Sequence, residues 1–204
     1  MSREAKLQEL QNLRKRVREL EGELERLDAP EWPPRDFYAV YAVLTGFVLG
    51  GVAAATSLIF SVIGSLLHGL HALQLIRVYL TFPLGSEAEN IESGLALAIG
   101  CCLYVLTGMV LGIPFQLVLS RWFDGSSFFV RFVVVSALAI VLWAFNFYGV
   151  LSWLQPALLG GSWIVDNIPW WVAASTHLVF GWSMLIMQPF GRFISEPLNP
   201  QEVS

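Results

Sequence analysis

Long stretches of this chain contain no charged residue. Asp, Glu, Lys and Arg are absent from four intervals, which run from Asp36 to Arg77, from Glu92 to Arg121, from Arg131 to Asp166 and from Asp166 to Arg192. Each interval exceeds the roughly 20 residues that a helix needs to cross a hydrocarbon core about 30 Å thick. We therefore predict four membrane spans, near residues 38–64, 93–118, 130–153 and 168–190. Each span must be helical, because a backbone in lipid has to satisfy its own hydrogen bonds.

The segment 66–81 is more polar than a span and more apolar than an ordinary loop. On a helical wheel its polar residues occupy one half and its leucines and Ile76 lie mainly on the other; the polar set is His68, His71, Gln74, Arg77 and Thr81. This pattern predicts an amphipathic helix on the outer leaflet. Pro83 and Gly85 are expected to end it.

Residues 1–29 predict a different element, a charged helix with a regular apolar seam. Leucines and one valine alternate at spacings of three and four, with Leu10, Val17 and Leu24 at position a and Leu13, Leu20 and Leu27 at position d. In a parallel pair, two of the three g-to-e charge contacts are attractive: Glu9 with Arg14, and Arg16 with Glu21, but not Glu23 with Asp28. The pattern favours a coiled coil, by self-association or with another membrane protein. The alternative is a single amphipathic helix laid on a partner or on the membrane, since so short a coil is marginal alone.

Composition supports lipid as the main surroundings of the rest of the chain. The protein has 204 residues, of which 55% are hydrophobic and 14% charged. Residues 1–36 hold eight of the twelve Lys and Arg and nine of the sixteen Asp and Glu, so the net charge of −4 gives no basic footprint for nucleic acid. Because 36 mostly polar residues precede the first span, we expect an uncleaved anchor rather than a signal peptide. A Pro-rich linker at 30–37 would join the two parts.

The positions of the arginines predict the orientation. With four alternating spans, Arg35, Arg121, Arg131 and Arg192 fall on one side, whereas the other side receives Arg77. Basic residues mark the cytoplasmic side. We therefore expect a multi-pass protein, in the plasma membrane, with a cytoplasmic N-terminus and a short cytoplasmic tail at 192–204.

Small residues recur at every fourth position in the first two spans. The first stripe is Ala42, Gly46, Gly50 and Ala54, and the second, interrupted by Tyr104, is Ala96, Gly100, Gly108 and Gly112. Such stripes let helix backbones approach closely in lipid. We favour packing of the two spans within one chain over an oligomer face, although glycine is common in membrane helices anyway.

The polar residues inside the spans are the candidates for chemistry. Asn146 and His177 each lie roughly 12 Å below the predicted outer boundary at the helical rise. Thr56, Ser57, Cys101 and Cys102 fall close to the same depth. We predict an interhelical hydrogen bond between Asn146 and His177, since an amide complements either imidazole nitrogen. An ionisable residue at this depth is also a functional candidate.

Three sharper functions remain alternatives. A haem-binding or redox subunit would use His177 with His68 or His71 as a second ligand, although these two lie nearer the outer end of the first span. No acid or thiol stands at helical spacing to complete a metal site at His68 and His71. A small transporter or channel component would normally carry buried charges, and an enzyme would need a nucleophile, an acid pair or a metal set. We therefore expect no cofactor and no enzymatic activity, and favour an all-α, polytopic four-helix bundle that acts as a membrane scaffold or accessory subunit.

Overall fold

A computed structural model describes residues 3–26 and 35–191, with the side-chain surroundings of 8–20 and 38–191. Within these ranges every regular element is helical, so the prediction of an all-α fold is confirmed. The chain divides into two compact units between Ala39 and Val40. The predicted tail 192–204, most of the predicted linker 30–37, Leu27 and the side chain of Leu24 lie outside the described residues.

Eight α-helices occur within the described ranges: α1 Arg3–Arg26, α2 Arg35–Leu67, α3 Gln74–Leu84, α4 Leu95–Trp122, α5 Phe128–Ala144, α6 Ser152–Leu159, α7 Trp163–Asn167 and α8 Trp170–Met187. A π-helical segment, Phe145–Leu151, joins α5 to α6 without a break. Two 3-10 segments, Gly85–Asn90 and Gln188–Gly191, follow α3 and α8.

Four of these helical stretches are long and apolar enough to cross a membrane, which confirms the predicted number: Tyr38–Leu67, Leu95–Trp122, Phe128–Leu159 and Trp170–Gly191. All four end later than predicted, by one to six residues, and the difference is largest for the third, which ends at Leu159 and not at 153. Ser127 begins α5 by accepting a hydrogen bond from the amide of Val130 at 3.4 Å. At Gly160 a left-handed backbone, with φ of 79°, ends α6.

The segment after α2 differs from the predicted amphipathic helix at 66–81. Gly69 adopts φ of 69°, and the amide of Leu73 donates to Nδ1 of His71 at 3.1 Å, so the chain turns before α3 begins at Gln74. The helix also does not expose a polar half. Ile76 from the predicted apolar face and Thr81 from the predicted polar face are both 0% exposed. Burial on both faces makes α3 part of the core, because neighbouring helices supply a partner for each face.

Glycine contacts bring α2 and α4 together at backbone distance. A Cβ built on Gly50 would lie 2.9 Å from Cα of Gly112 and in still closer contact with the carbonyl oxygen of Gly108. Gly46 is similarly close to α4, where its Cβ would lie 2.9 Å from Cα of Ile113. No side chain fits between these backbones, so glycine at Gly50 and Gly112 permits the approach.

Gly100 departs from this pattern. A Cβ there would meet Ile76 Cγ2 at 2.7 Å and Leu80 Cδ1 at 2.9 Å, so Gly100 makes room for α3 and not for α2. The second stripe therefore divides between two neighbours. The contact of Gly100 with α3 was not predicted, because α3 was expected to lie on the membrane surface.

The buried residues form three clusters. The largest is central and joins α2, α4, α5 and α8; it includes Leu49, Ala53, Phe115, Leu119, Val135, Ala139, Phe180 and Met184. A second joins α3 and the π segment to α7 and α8, and a third joins α3 to α4. A cavity remains among α2, α3, α4, the π segment, α7 and α8.

Candidate functional site

The cavity has a volume of about 450 Å³ and is open on part of its boundary. Most of its lining is aliphatic or aromatic. The polar members of the lining are Ser57, Tyr79, Tyr104, Thr107, Asn146, Thr176 and His177, and none of the lining residues is Asp, Glu, Lys or Arg. Its size and its mixture of apolar walls with a few polar groups are typical of small-molecule sites in proteins.

His177 lines this cavity and has one ring nitrogen without a hydrogen-bond partner among the described residues. Its Nδ1 lies 2.8 Å from the carbonyl oxygen of Ala173, one turn earlier on α8. A carbonyl oxygen only accepts, so Nδ1 carries the hydrogen and Nε2 of the neutral ring is the acceptor. Nε2 lies on the far side of the ring, directed away from its own helix backbone, and no described residue hydrogen-bonds to it.

Asn146 reaches the cavity from the π segment. Insertions of this kind within α-helices often accompany functional sites. Its side chain makes no hydrogen bond with the residues described, and the bond predicted between Asn146 and His177 is absent. That prediction was wrong because it matched the two residues by depth alone, and depth does not fix the direction in which either side chain leaves its helix.

The five hydroxyl groups around the cavity all donate to protein atoms. Ser57 donates to the carbonyl oxygen of Thr176 at 2.9 Å, so the Tyr104 hydroxyl, 3.2 Å away, must donate to Ser57. Thr107 donates to the carbonyl of Leu103 at 2.9 Å, so the Tyr79 hydroxyl at 2.8 Å donates to Thr107.

Thr176 itself donates to the carbonyl of Ala173 at 2.8 Å. With every hydroxyl hydrogen committed, the amide of Asn146 is the one side-chain donor left among the described lining residues. The cavity is therefore rich in acceptors and poor in donors.

The rest of the predicted polar layer lies elsewhere. Cys101 is half-buried beside the cluster between α3 and α4, Cys102 is exposed, and neither lines the cavity. Of the other residues predicted at this depth, Ser57 lines the cavity together with His177 and Asn146. The tyrosines were missed, although Tyr104 stood out in the sequence as the residue that interrupts the second glycine stripe.

The other two histidines do not reach His177's cavity. His68 is exposed, and His71 uses both ring nitrogens locally: Nδ1 accepts from Leu73, so Nε2 donates to the carbonyl oxygen of Glu92 at 3.0 Å. A ring with both nitrogens occupied offers no lone pair to a haem iron. Among the side chains described, those of 8–20 and 38–191, no three His, Cys, Asp or Glu lie close enough together to hold a metal ion.

A second polar cluster lies at the opposite end of the four long helices. Arg131 Nη1 donates to Gln188 Oε1 at 2.6 Å, and Gln116 Nε2 donates to the carbonyl of Gly191 at 3.3 Å. Gln116 and Gln188 are buried, and Gln116 Oε1, Gln188 Nε2 and Arg131 Nε have no partner among the described residues. Since these atoms are inaccessible, the cluster joins helix ends and offers no open site.

Comparison of the chain with protein-family models, with curated proteins and with solved structures finds no match.

Proposed function

We propose that this chain is a multi-pass membrane scaffold or accessory subunit whose four long helices span the plasma membrane. In this proposal the N-terminal helix α1 lies in the cytoplasm and pairs in parallel with α1 of a second copy. The exposed apolar seam of α1 carries the functional part of the proposal.

Membrane insertion is supported by the outer surface of the long helices. Large apolar side chains cover it on every one of them, including Leu44, Val48, Ile59, Leu95, Val110, Phe129, Val141, Trp170 and Ile186. A soluble monomer rarely exposes a continuous apolar surface of this extent. Lipid tails would cover these side chains at no cost, while the backbone is hydrogen-bonded within each helix.

A cytoplasmic N-terminus is supported by the arginines at the helix ends. Arg121 lies in the last turn of α4 and Arg131 in the first turn of α5, so both are close to the same short connection. The sequence places Arg35 and Arg192 on that side too. Arg77 in α3 is the single arginine on the other side, and the difference favours the arginine-rich side as the inner one.

The seam of α1 is exposed although its residues are apolar. Leu10, Leu13, Val17 and Leu20 are 46%, 61%, 51% and 44% exposed. Apolar side chains aligned on one face of a charged helix are the usual arrangement of a coiled-coil surface, which a second helix covers. Tethering two copies in one membrane raises their effective concentration, which offsets the weakness of a short coil.

The charges beside the seam favour a second copy as that partner. Arg16 lies 3.5 Å from Glu19 within its own helix, an exposed pair that contributes little to stability. In a parallel pair Arg16 would instead face Glu21 of the other helix, and Glu9 would face Arg14. These two attractive contacts favour the parallel register, and they leave neither of these charged pairs buried without a partner.

Disulfide cross-linking in membranes tests the proposal. In a chain carrying Cys101→Ala and Cys102→Ala, a cysteine at Leu13 or Leu20 should form a covalent dimer on mild oxidation, because d positions of a parallel pair face each other. Lys15→Cys is the matched control, since Lys15 lies at position f on the opposite face. Adding Leu20→Asp to the Leu13 cysteine variant should abolish the dimer by placing a charge in the seam.

Equal cross-linking at Leu13 and Lys15 would contradict pairing through the seam. Cross-linking of Leu13 exclusively to a different protein would contradict self-association. Both comparisons are made in membrane fractions that contain each cysteine variant in the same amount as the parent chain.

A further inference from the structure

The cavity beside His177 opens toward the outer apolar surface of the long helices. Its exposed lining residues are Leu103 and Thr107 of α4 and Pro83 of α3, whereas Asn146 and His177 are half-buried. A molecule that enters on the α4 side would therefore pass through an apolar mouth before it meets the polar groups. Such an entrance suits a molecule that is dissolved in the bilayer.

The lining restricts the charge of that molecule. With no acidic or basic side chain around the cavity, a carboxylate, phosphate or ammonium group would be desolvated without a counter-charge. Burying an unpaired charge is far more costly than burying a neutral polar group. The occupant is therefore uncharged, which excludes phospholipid headgroups and fatty-acid anions.

The hydrogen-bonding groups restrict its polar end. His177 Nε2 is an acceptor without a partner among the described residues. The five hydroxyl groups of the lining already donate their hydrogens to protein oxygens. A ligand that approaches His177 must supply the hydrogen itself. The Asn146 amide, which also lines the cavity, can accept a second hydrogen or donate to an oxygen of the ligand.

Aromatic side chains restrict the shape of the occupant. Tyr79, Phe82, Tyr104, Phe147 and Phe180 line the walls, and flat rings pack favourably against the faces or edges of other aromatic rings. We propose that the cavity binds an uncharged, lipid-soluble ring compound that carries a hydroxyl group, of the phenol or quinol class. Its hydroxyl donates to His177 Nε2, its ring lies among the aromatic walls, and its tail leaves past Leu103 and Thr107 into lipid.

This site is separate from the coiled-coil role proposed for α1, so either can fail without the other. The test uses the full-length protein in lipid nanodiscs and radiolabelled 4-decylphenol as the probe. Two unlabelled competitors differ from the probe at one group: 4-decylanisole, whose methyl ether has no hydrogen to donate, and 4-decylbenzoate, which is ionised at neutral pH. Empty nanodiscs give the amount of each compound in the bilayer, and affinities are expressed relative to that amount.

We expect radiolabelled 4-decylphenol to bind saturably. Unlabelled 4-decylanisole should compete with it about three- to tenfold more weakly than unlabelled 4-decylphenol does, the range that one hydrogen bond provides. The benzoate should compete more weakly than the anisole, because its charge is unpaired in the cavity. Equal competition by phenol and anisole, or efficient competition by the benzoate, would overturn the proposal. This comparison needs no variant and so does not depend on a substitution being tolerated.

Two substitutions locate the site. His177→Phe removes the acceptor and keeps an aromatic ring, so it should abolish the preference for phenol over anisole. Val150→Trp fills the cavity from the third long helix and should lower binding at least tenfold, whereas Val141→Trp, at a position that is 64% exposed on the same helix, should not. A folded His177→Phe protein that still prefers the phenol, or equal binding by the two tryptophan variants, would contradict this site.

Discussion

Gln155 Nε2 donates a hydrogen bond to Thr81 Oγ1 at 3.0 Å, and neither side chain is exposed to any extent. The other end of the same amide is also used, because Gln155 Oε1 accepts from the backbone amide of Ile164 at 3.0 Å. One side chain on α6 thus holds both α3 and the start of α7. These bonds add to the packing of α3 against α4 and α7, which buries on two sides a helix whose sequence is that of a surface helix.

The first prediction follows from this contact. Gln155→Met keeps the volume but leaves the Ile164 amide unpaired, which should lower the free energy of unfolding by about 1–3 kcal/mol. Thr81→Val should cost less, because it removes the bonds of one hydroxyl, to the Val78 carbonyl and from Gln155 Nε2, but keeps the bond that Gln155 Oε1 accepts from Ile164. The measurement is unfolding of the purified protein in detergent.

A double-mutant cycle separates the pair from its surroundings. Because Gln155 and Thr81 bond to each other, the two losses should not add, and the coupling should reach about 0.5–1.5 kcal/mol. Strict additivity would mean that the hydrogen bond contributes nothing to stability.

The second prediction concerns the close approach of α2 and α4. Gly50→Ala places a methyl group against the backbone of Gly108 and Gly112, so it should lower stability by about 1–3 kcal/mol. Gly64→Ala is the matched control on the same helix, because a Cβ at Gly64 meets nothing within 4 Å. The control should be neutral or gain up to about 1 kcal/mol from helix propensity. Thermal unfolding in detergent measures both; equal behaviour of the two alanines would refute the contact.

The third prediction tests orientation. In a chain without Cys101 and Cys102, a membrane-impermeant maleimide applied to intact cells should label Asp166→Cys strongly and Asp124→Cys no more than background. Both positions are exposed, so the difference reports their side of the membrane. Permeabilised cells provide the control, since both cysteines should then react. Strong labelling at Asp124 in intact cells would reverse the proposed topology.

The fourth prediction concerns the wall of the cavity. Ser57→Ala removes the bond from α2 to the Thr176 carbonyl and deprives the Tyr104 hydroxyl of its acceptor, so it should cost about 1 kcal/mol or somewhat more. Thr56→Val serves as the control. Thr56 is exposed and bonds within its own helix to the Val52 carbonyl, so its loss should stay within about 0.5 kcal/mol. If the two changes have equal effects on unfolding, Ser57 does not join the helices.

The sequence by itself determined the helical class and the positions of the four long helices. Whether a stretch can cross about 30 Å of hydrocarbon depends on its own length and composition, so the charge-free intervals were sufficient. Gly46 and Gly50 were also identifiable, because a regular stripe of small residues has few uses other than close helix contact. The pairing of α1 stays a prediction, since it depends on a second chain.

The tertiary structure decided which polar side chains meet. Depth along a span placed Asn146 and His177 at one level but could not fix the rotation of either helix, and the π segment shifts that rotation just where Asn146 lies. The burial of α3 likewise involves a partner distant in sequence, since Gln155 lies 74 residues away from Thr81. Hydrogen bonds between distant residues require a position and an angle for both partners, and a local pattern of polar and apolar residues specifies neither.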